Sequence, residues 1–403
     1  MGAALVYDPY LDEVLDDPHA VYARLRDEAP ALFLEEYNAW FLSRFDYVWE
    51  ALQRPELSVM QGIAPSQLLL GQPANPLMPS QMDPPLHTKV RRMISDAHLK
   101  PTRVTDIEEV VRSEARRQLD RVEPTATFDA VRDYAAPVAM VTASVLCGFP
   151  PEDASTFIRW VNMFFHRRPG QRGETERAAE AGGELYGYVA AHVERARKDP
   201  DATSALTRTL MTTPVDGVAM SDEGLVSSLV NLLIAAADTF PKVFAATLVS
   251  LVRNPDAAEA VRRDPSLQLD AFHEALRVDT PTQFQGRTVT APFELDGHRM
   301  EPGQKVCFLF ASANRDPREF PDADRFILER RPRRMVGFGH GIHLCLGMHL
   351  ARMEAQVTLQ ELLQRMPVYE IDFDAADYAR TEYVRGWLRL PVRATAAAPR
   401  QKG

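Results

Sequence analysis

Residues 338–354 read FGHGIHLCLGMHLARME. The segment holds Cys345, one of only three cysteines in 403 residues, with His340, His343 and His349 and glycines at 339, 341 and 347. Sulfur and imidazole nitrogen are zinc ligands. Structural zinc sites, however, draw paired ligands from separated elements, and donors this close together crowd a tetrahedron. A glycine turn over a buried thiol is the plainest alternative.

A third reading is a thiolate ligand to haem iron. Residues from Leu346 to about Met366 read as a helix that starts at the cysteine. A helix N-terminus is positive and lowers the pKa of a nearby thiol. Glycines ahead of it let the backbone turn close beneath a flat macrocycle and aim amide groups at the sulfur. A cysteine thiolate pushes electron density onto haem iron and favours O–O cleavage.

Working outward, residues 222–253 (DEGLVSSLVNLLIAAADTFPKVFAATLVSLVR) form the clearest helix. Ser221 is a suitable N-cap, Asp222 and Glu223 suit the first turn, and Asn254–Pro255 ends it. A helix of this length runs roughly 48 Å. It is apolar nearly all round, which places it across the middle of the fold. Asp238 and Thr239 break the apolar pattern, with Asn231 and Lys242 as the other strongly polar residues. A carboxylate buried there needs a partner or water. Pro241 lacks an N–H, leaves the Ala237 carbonyl without its helical donor and predicts a kink. A buried ion pair beside a proline kink accounts for these residues, and so does a polar notch for proton transfer. Ala235, Ala236 and Ala237 leave room for something flat to approach.

Composition bounds the rest. The net charge of −10 argues against a nucleic-acid surface, which needs a basic patch. Three distant cysteines make no disulfide framework and suit a reducing cytoplasm. The N-terminus has no basic segment followed by an apolar core, and no uncharged run reaches the roughly 20 residues of a membrane span. A cytoplasmic protein without a membrane anchor is expected.

The chain is mainly α, with small β-sheets expected at 31–44 around a turn near Glu36–Asn38, at 286–310 with turns at Asp296–Gly297 and Pro302–Gly303, and at 383–394. No linker divides it, so residues 1–403 read as a single domain with loose tails at about 1–10 and 394–403. Residues 59–82 form a long irregular loop, a feature usually tied to function. Phe157, Trp160, Met163, Phe164 and Phe165, followed by a turn at Pro169–Gly173, read either as core or as a lid over an apolar pocket.

Phe338, Gly341, Cys345 and Gly347 match F-x-x-G-x-x-x-C-x-G, and here the chain resembles the cytochrome P-450 haem-thiolate monooxygenases of the soluble bacterial type. The resemblance implies the P-450 fold, with haem b (iron protoporphyrin IX) between the long central helix and the cysteine-bearing helix. Cys345 is then the axial iron ligand, and Gly339, Ala235 and Ala236 lie against the cofactor. AAADT at 235–239 resembles the family's A-G-x-[DE]-T, with Ala236 in place of the glycine and Asp238 and Thr239 intact as the acid–alcohol pair. DPPLHTKVRR supplies His87 and Arg91, one helical turn apart, as propionate partners; Arg287 and His343 match the others. HEALR matches E-x-x-R, so that Glu274 and Arg277 with Arg325 form a structural network. Cys147 and Cys307 read as small core residues.

The resemblance implies insertion of one oxygen atom from O2, the co-substrate, into a small, mostly apolar or aromatic organic molecule. Phe240, Thr282, Phe284 and Trp387 are candidate pocket residues. Electrons are expected from a ferredoxin or flavodoxin and its reductase, and so indirectly from NAD(P)H. Lys89, Arg92 and Lys100 with Arg330, Arg331, Arg333 and Arg334 offer a basic docking face. A monomer is expected. The alternative class is a haem sensor or electron carrier without turnover.

Overall fold

The computed structural model describes residues 5–122, 126–166 and 172–395. The central helix is continuous over Asp222–Arg253, Pro241 included, and Ser221 caps it by accepting the Gly224 N–H at 3.1 Å. Its all-round apolarity is used twice. Leu225, Leu229, Val230 and Leu233 pack among the helices Ala136–Cys147, Ala154–Phe164 and Glu176–Lys198. Past the proline, Val243, Phe244 and Leu248 pack against Gln268–Val278 and Met348–Arg365. The helix therefore joins two cores and crosses the interior between them. Ala130–Cys147 and Asp222–Arg253 have the length and apolar composition of membrane spans, but 72% of each apolar window is buried within this fold.

Strands form in the three expected stretches. Ala31–Leu34 and Ala39–Leu42 pair as a hairpin, with Asn38 taking the left-handed turn position at φ 50°. Ala39–Leu42 then pairs in parallel with Lys305–Leu309, which pairs antiparallel with Phe284–Val289. Leu57–Ser58 completes this five-stranded sheet at its edge. Asp296 and Gly297, both at positive φ, turn the hairpin Phe293–Leu295 to His298–Met300. Near the C-terminus Gly386–Arg389 pairs with Asp377–Ala379, and Pro391–Ala394 runs between Thr127–Asp129 and Tyr369–Ile371.

The expectation of a loose N-terminal tail is corrected for residues 5–10. Tyr7 is buried and packs edge-on against Phe41 with ring centroids 5.3 Å apart. An aromatic side chain at that position fills the outer face of the sheet. At the other end, 396–403 lies outside the described residues, as does most of the Pro169–Gly173 turn.

Candidate active site

The cysteine loop is built on two glycines. Gly339 and Gly341 have φ of +70° and +71°, a region that L side chains avoid. A Cβ on Gly341 would also lie 2.6 Å from the Leu52 carbonyl oxygen. The loop thus presses onto the end of the helix Phe45–Ala51, where the His340 ring stacks on Trp49 at 3.5 Å. The cysteine helix spans Met348–Arg365, so it starts three residues past Cys345 and not at it. The connection is a turn: the Cys345 N–H donates to the Phe338 carbonyl at 2.8 Å, and the Gly347 N–H donates to the sulfur. Cys345 is exposed by surface area, yet burial raises its thiol pKa, with the Gly347 N–H and Arg91 pulling the other way. Both hold for a thiol facing a cleft inside the protein. Cys147 and Cys307 are simply buried, and burial pushes the Cys147 thiol up to about 12. Among the described residues no group of three or more His, Cys, Asp or Glu side chains is placed to hold a metal ion.

The central helix carries a matching gap. Ala235 is exposed and Ala236 and Thr239 are half-buried, whereas Ala237, Asp238 and Phe240 are buried. In a helix packed on every other side, exposure at i, i+1 and i+4 marks one strip facing open interior space. The Thr239 hydroxyl donates to the Ala235 carbonyl at 3.3 Å. Asp238 finds its partner within its own helix, as an ion pair with Lys242 one turn on.

His87, Arg91, Arg287 and His343 come together from three elements: the helix Leu86–Ile94, the strand Phe284–Val289 and the cysteine loop. The His87 and His343 rings lie 4.0 Å apart. Burial, and then Arg91 and Arg287, lower the His87 pKa to about 4. Burial, His87 and the two arginines lower that of His343 to about 3. Arg287 is 3% exposed and burial lowers it to about 10. Its one hydrogen bond goes to the Leu52 carbonyl at 3.1 Å, and no carboxylate of the described residues pairs with it. His87 Nδ1 is buried without a partner. A guanidinium held this way is costly unless an anion joins it. Two carboxylates entering here would relieve all four groups. A cofactor that carries two carboxylates and takes a cysteine ligand therefore fits the residues present.

The structural network needs a correction. Glu274 and Arg277 pair as expected, at 2.7 and 2.9 Å and almost fully buried. The third side chain is Arg330, whose Nε donates to Glu274 at 2.9 Å. Arg325 offers only its backbone carbonyl to Arg277, at 2.9 Å; its side chain is 74% exposed beside Asp322. Arg330 sits in an arginine run (ERRPRR), and nothing in the local pattern separates the buried member from its exposed neighbours.

Two pocket candidates belong to cores instead. Phe240 is buried and packs with Phe244 and Phe272. Phe284 is fully buried against Phe41 in the sheet. Trp387 packs on Phe373 and Tyr378. Thr282 is half-buried and bridges to Val384, a position that suits the rim of the site. Next to it Phe165 meets Tyr383 at 6.3 Å, and Gln285 reaches the Tyr383 hydroxyl at 3.2 Å. The aromatic segment thus divides: Phe157 is core, fully buried against Phe149 and Tyr188, and Phe165 reaches the rim. Tyr383 carried no sequence signal, since its place depends on a contact across the fold.

The basic face is thinner than expected. Lys89 pairs with Asp216, Arg331 with Asp270, Arg334 with Glu319, and Arg330 is buried on Glu274. Lys100 lies 4.0 Å from Asp96. Of that set, Arg92 and Arg333 have no carboxylate partner among the described residues.

Residues 267–375 match the family model described as cytochrome P450. The chain is 33% identical over 395 residues to the putative cytochrome P450 123 of Mycobacterium tuberculosis, covering 97% of this chain and 98% of that protein. It is 32% identical to the vitamin D(3) 25-hydroxylase of Pseudonocardia autotrophica, covering 96% of each. Its fold is similar to that of a mutant of P450 EryK in complex with erythromycin B, with TM-score 0.84, 28% identity and coverage of 96% and 99%. It is also similar to CYP109E1 from Bacillus megaterium in complex with testosterone, with TM-score 0.85, 25% identity and coverage of 96% and 100%.

Proposed function

The chain belongs to the cytochrome P450 family of oxidoreductases, and we propose that it inserts one oxygen atom from O2 into an apolar or aromatic organic molecule at the cleft between Cys345 and Thr239. One observation supports this above the others: His87, Arg91, Arg287 and the cysteine-loop His343 converge, with the buried Arg287 lacking a carboxylate partner among the described residues and His87 Nδ1 left unbonded.

Each residue has a task. Cys345 would hold the haem iron through its sulfur, and the Gly347 N–H on that sulfur would temper the charge it donates. Phe338, Gly339 and Gly341 shape the loop beneath the macrocycle. His87, Arg91, Arg287 and His343 hold the two propionates. Ala235 and Ala236 keep the central helix flat enough for close approach. Haem with a thiolate ligand supplies the activation of O2 and the cleavage of its O–O bond. Asp238 takes protons from water and Thr239 hands them into the cleft, the acid–base work that the cofactor cannot do for itself.

The rim residues Thr282, Phe165 and Tyr383 and the loop 59–82 suit an apolar substrate. The names of the relatives, a vitamin D(3) hydroxylase and structures holding erythromycin B or testosterone, support a bulky one. A ferredoxin or flavodoxin fed by a reductase and NAD(P)H supplies the electrons. Of the expected basic face, Arg92 and Arg333, which have no carboxylate partner among the described residues, are the cations we assign to meet an acidic partner. We place the protein in the cytoplasm as a monomeric single domain.

The test is the absorption spectrum of the reduced protein under carbon monoxide. A strongly red-shifted main haem band is expected, and Cys345→Ala abolishes it. A haem band without the shift in the unaltered protein refutes thiolate ligation.

A further inference from the structure

One row of the central helix is open only in its middle. Ser227 and Val243 are 4% and 3% exposed, while Asn231, Ala235 and Thr239, at four-residue steps between them, are accessible. Residues four apart share a helix face, so these three look into one enclosed space. Beside them the accessible members of the segment are Leu232, Ile234 and Ala236, all apolar. No charged side chain joins this face, because Asp238 and Lys242 are buried on each other.

The Asn231 amide is held in one orientation. Its Oδ1 accepts the Ser80 N–H at 3.2 Å. One turn earlier on the helix, Ser227 Oγ accepts from Asn75 Nδ2 at 3.1 Å, and Asn75 also donates to the Tyr186 hydroxyl at 3.1 Å. The Asn75 N–H donates to the buried Gln81 side chain at 2.8 Å. The loop 59–82 is thus fixed to the helix at two successive turns. A backbone N–H needs an acceptor, so the oxygen end of Asn231 meets the loop and its nitrogen end points away from it. That nitrogen bonds no group of the described residues. Thr239, the other polar member of the face, gives its hydroxyl proton to the Ala235 carbonyl at 3.3 Å. Asn231 Nδ2 is therefore the side-chain donor left open there.

We infer, resting on the reading of this cleft as the site of oxidation, that Asn231 is a specificity-determining residue. Its Nδ2 donates a hydrogen bond to a neutral carbonyl oxygen, as in a ketone, ester or lactone, on an otherwise apolar substrate. The bond holds that oxygen one turn, roughly 6 Å along the helix, before Ala235, and so selects which part of the molecule comes to lie beside Thr239. A carboxylate is disfavoured, since it would leave water for one neutral amide with no cation on this face. A hydrocarbon is disfavoured too, since it would cover the amide N–H without accepting from it.

The probes are tritiated androstan-3-one and androstane, which share the steroid skeleton of a ligand held by a structural neighbour and differ by one ketone oxygen. Equilibrium dialysis against the haem-loaded protein reads their binding. Asn231→Leu, close in size and without a donor, is expected to weaken the ketone about 3- to 10-fold, the worth of one neutral hydrogen bond, and to leave the hydrocarbon unchanged or tighter. If Asn231 serves only to hold the loop, the substitution weakens both probes equally, and that result overturns the inference, as does an unaltered protein that retains no ketone. Asn231→Asp keeps an acceptor for the Ser80 N–H and, when ionised, has no donor. It is expected to weaken the ketone as leucine does, and ketone binding at unaltered strength in this variant overturns the inference as well. Dialysis needs no haem signal. A failed carbon monoxide spectrum therefore refutes the function proposed above, and a missing ketone preference refutes the role of Asn231 alone.

Discussion

Replacing Arg330 by alanine is expected to destabilise the protein, and replacing Arg325 is not. The Arg330 side chain is 9% exposed and donates to Glu274 at 2.9 Å, to the Pro321 carbonyl at 2.6 Å and to the Asp322 carbonyl at 3.1 Å. Glu274 is 1% exposed. It keeps the two bonds from Arg277 and the Ile327 N–H at 3.0 Å, so its charge stays compensated. The loss is then one charge-assisted bond and two to carbonyls, about 2–3 kcal/mol in all. Arg277→Ala strips the buried carboxylate of its bidentate partner and is expected to cost at least about 3–5 kcal/mol. Arg325→Ala removes a side chain lying 3.9 Å from Asp322 in solvent and should change stability by less than about 0.5 kcal/mol. Urea unfolding of the haem-loaded protein reads all three, as a lowered midpoint at unchanged slope. Equal losses for Arg325→Ala and Arg330→Ala would refute this assignment of the third network member.

Thr239→Ala is expected to leave electron consumption running while product falls and hydrogen peroxide accumulates, measured as product and peroxide formed per NAD(P)H. Arg287→Met is expected to raise the stability of the haem-free protein, by removing an uncompensated buried cation, and to weaken haem retention; competition with a haem-binding globin measures the second effect. Glu354 is fully buried, one of its oxygens has no partner, and burial raises its pKa from 4.5 to about 8, with a hydrogen bond from Thr142 opposing. Between those values the folded state keeps a proton that the unfolded chain releases, so this group makes stability fall as pH rises. Glu354→Gln is expected to flatten that fall, seen in urea midpoints from pH 5 to 8.

The glycine turns of the cysteine loop, the central helix and the His87–Arg91 spacing were legible because each is a local pattern. A glycine at positive φ, a capped apolar helix and a His–Arg spacing of one turn have consequences within a few residues of chain. Of the rival accounts of Asp238, the buried ion pair describes the structure: the partner is Lys242, which the sequence offered only as polar company. The errors share a cause. Phe240 and Phe284 are apolar residues beside site residues, and neighbours along a helix or strand face different ways. Which one reaches a pocket depends on what packs against the opposite face.

From the residues alone the mainly helical class, the three strand patches and the glycine turns around Cys345 could be read. Only the tertiary structure decided that Arg330 and not Arg325 reaches Glu274, that Asp216, Asp270 and Glu319 neutralise much of the basic face, and that Gly386 closes over Lys242. Those three facts pair residues tens to hundreds of positions apart, or select one arginine from a run of equals. Chain geometry encodes what lies within a turn or a hairpin. Partners at that separation are set by how whole helices and sheets pack, and burial then fixes whether a charge is paired, screened or stranded.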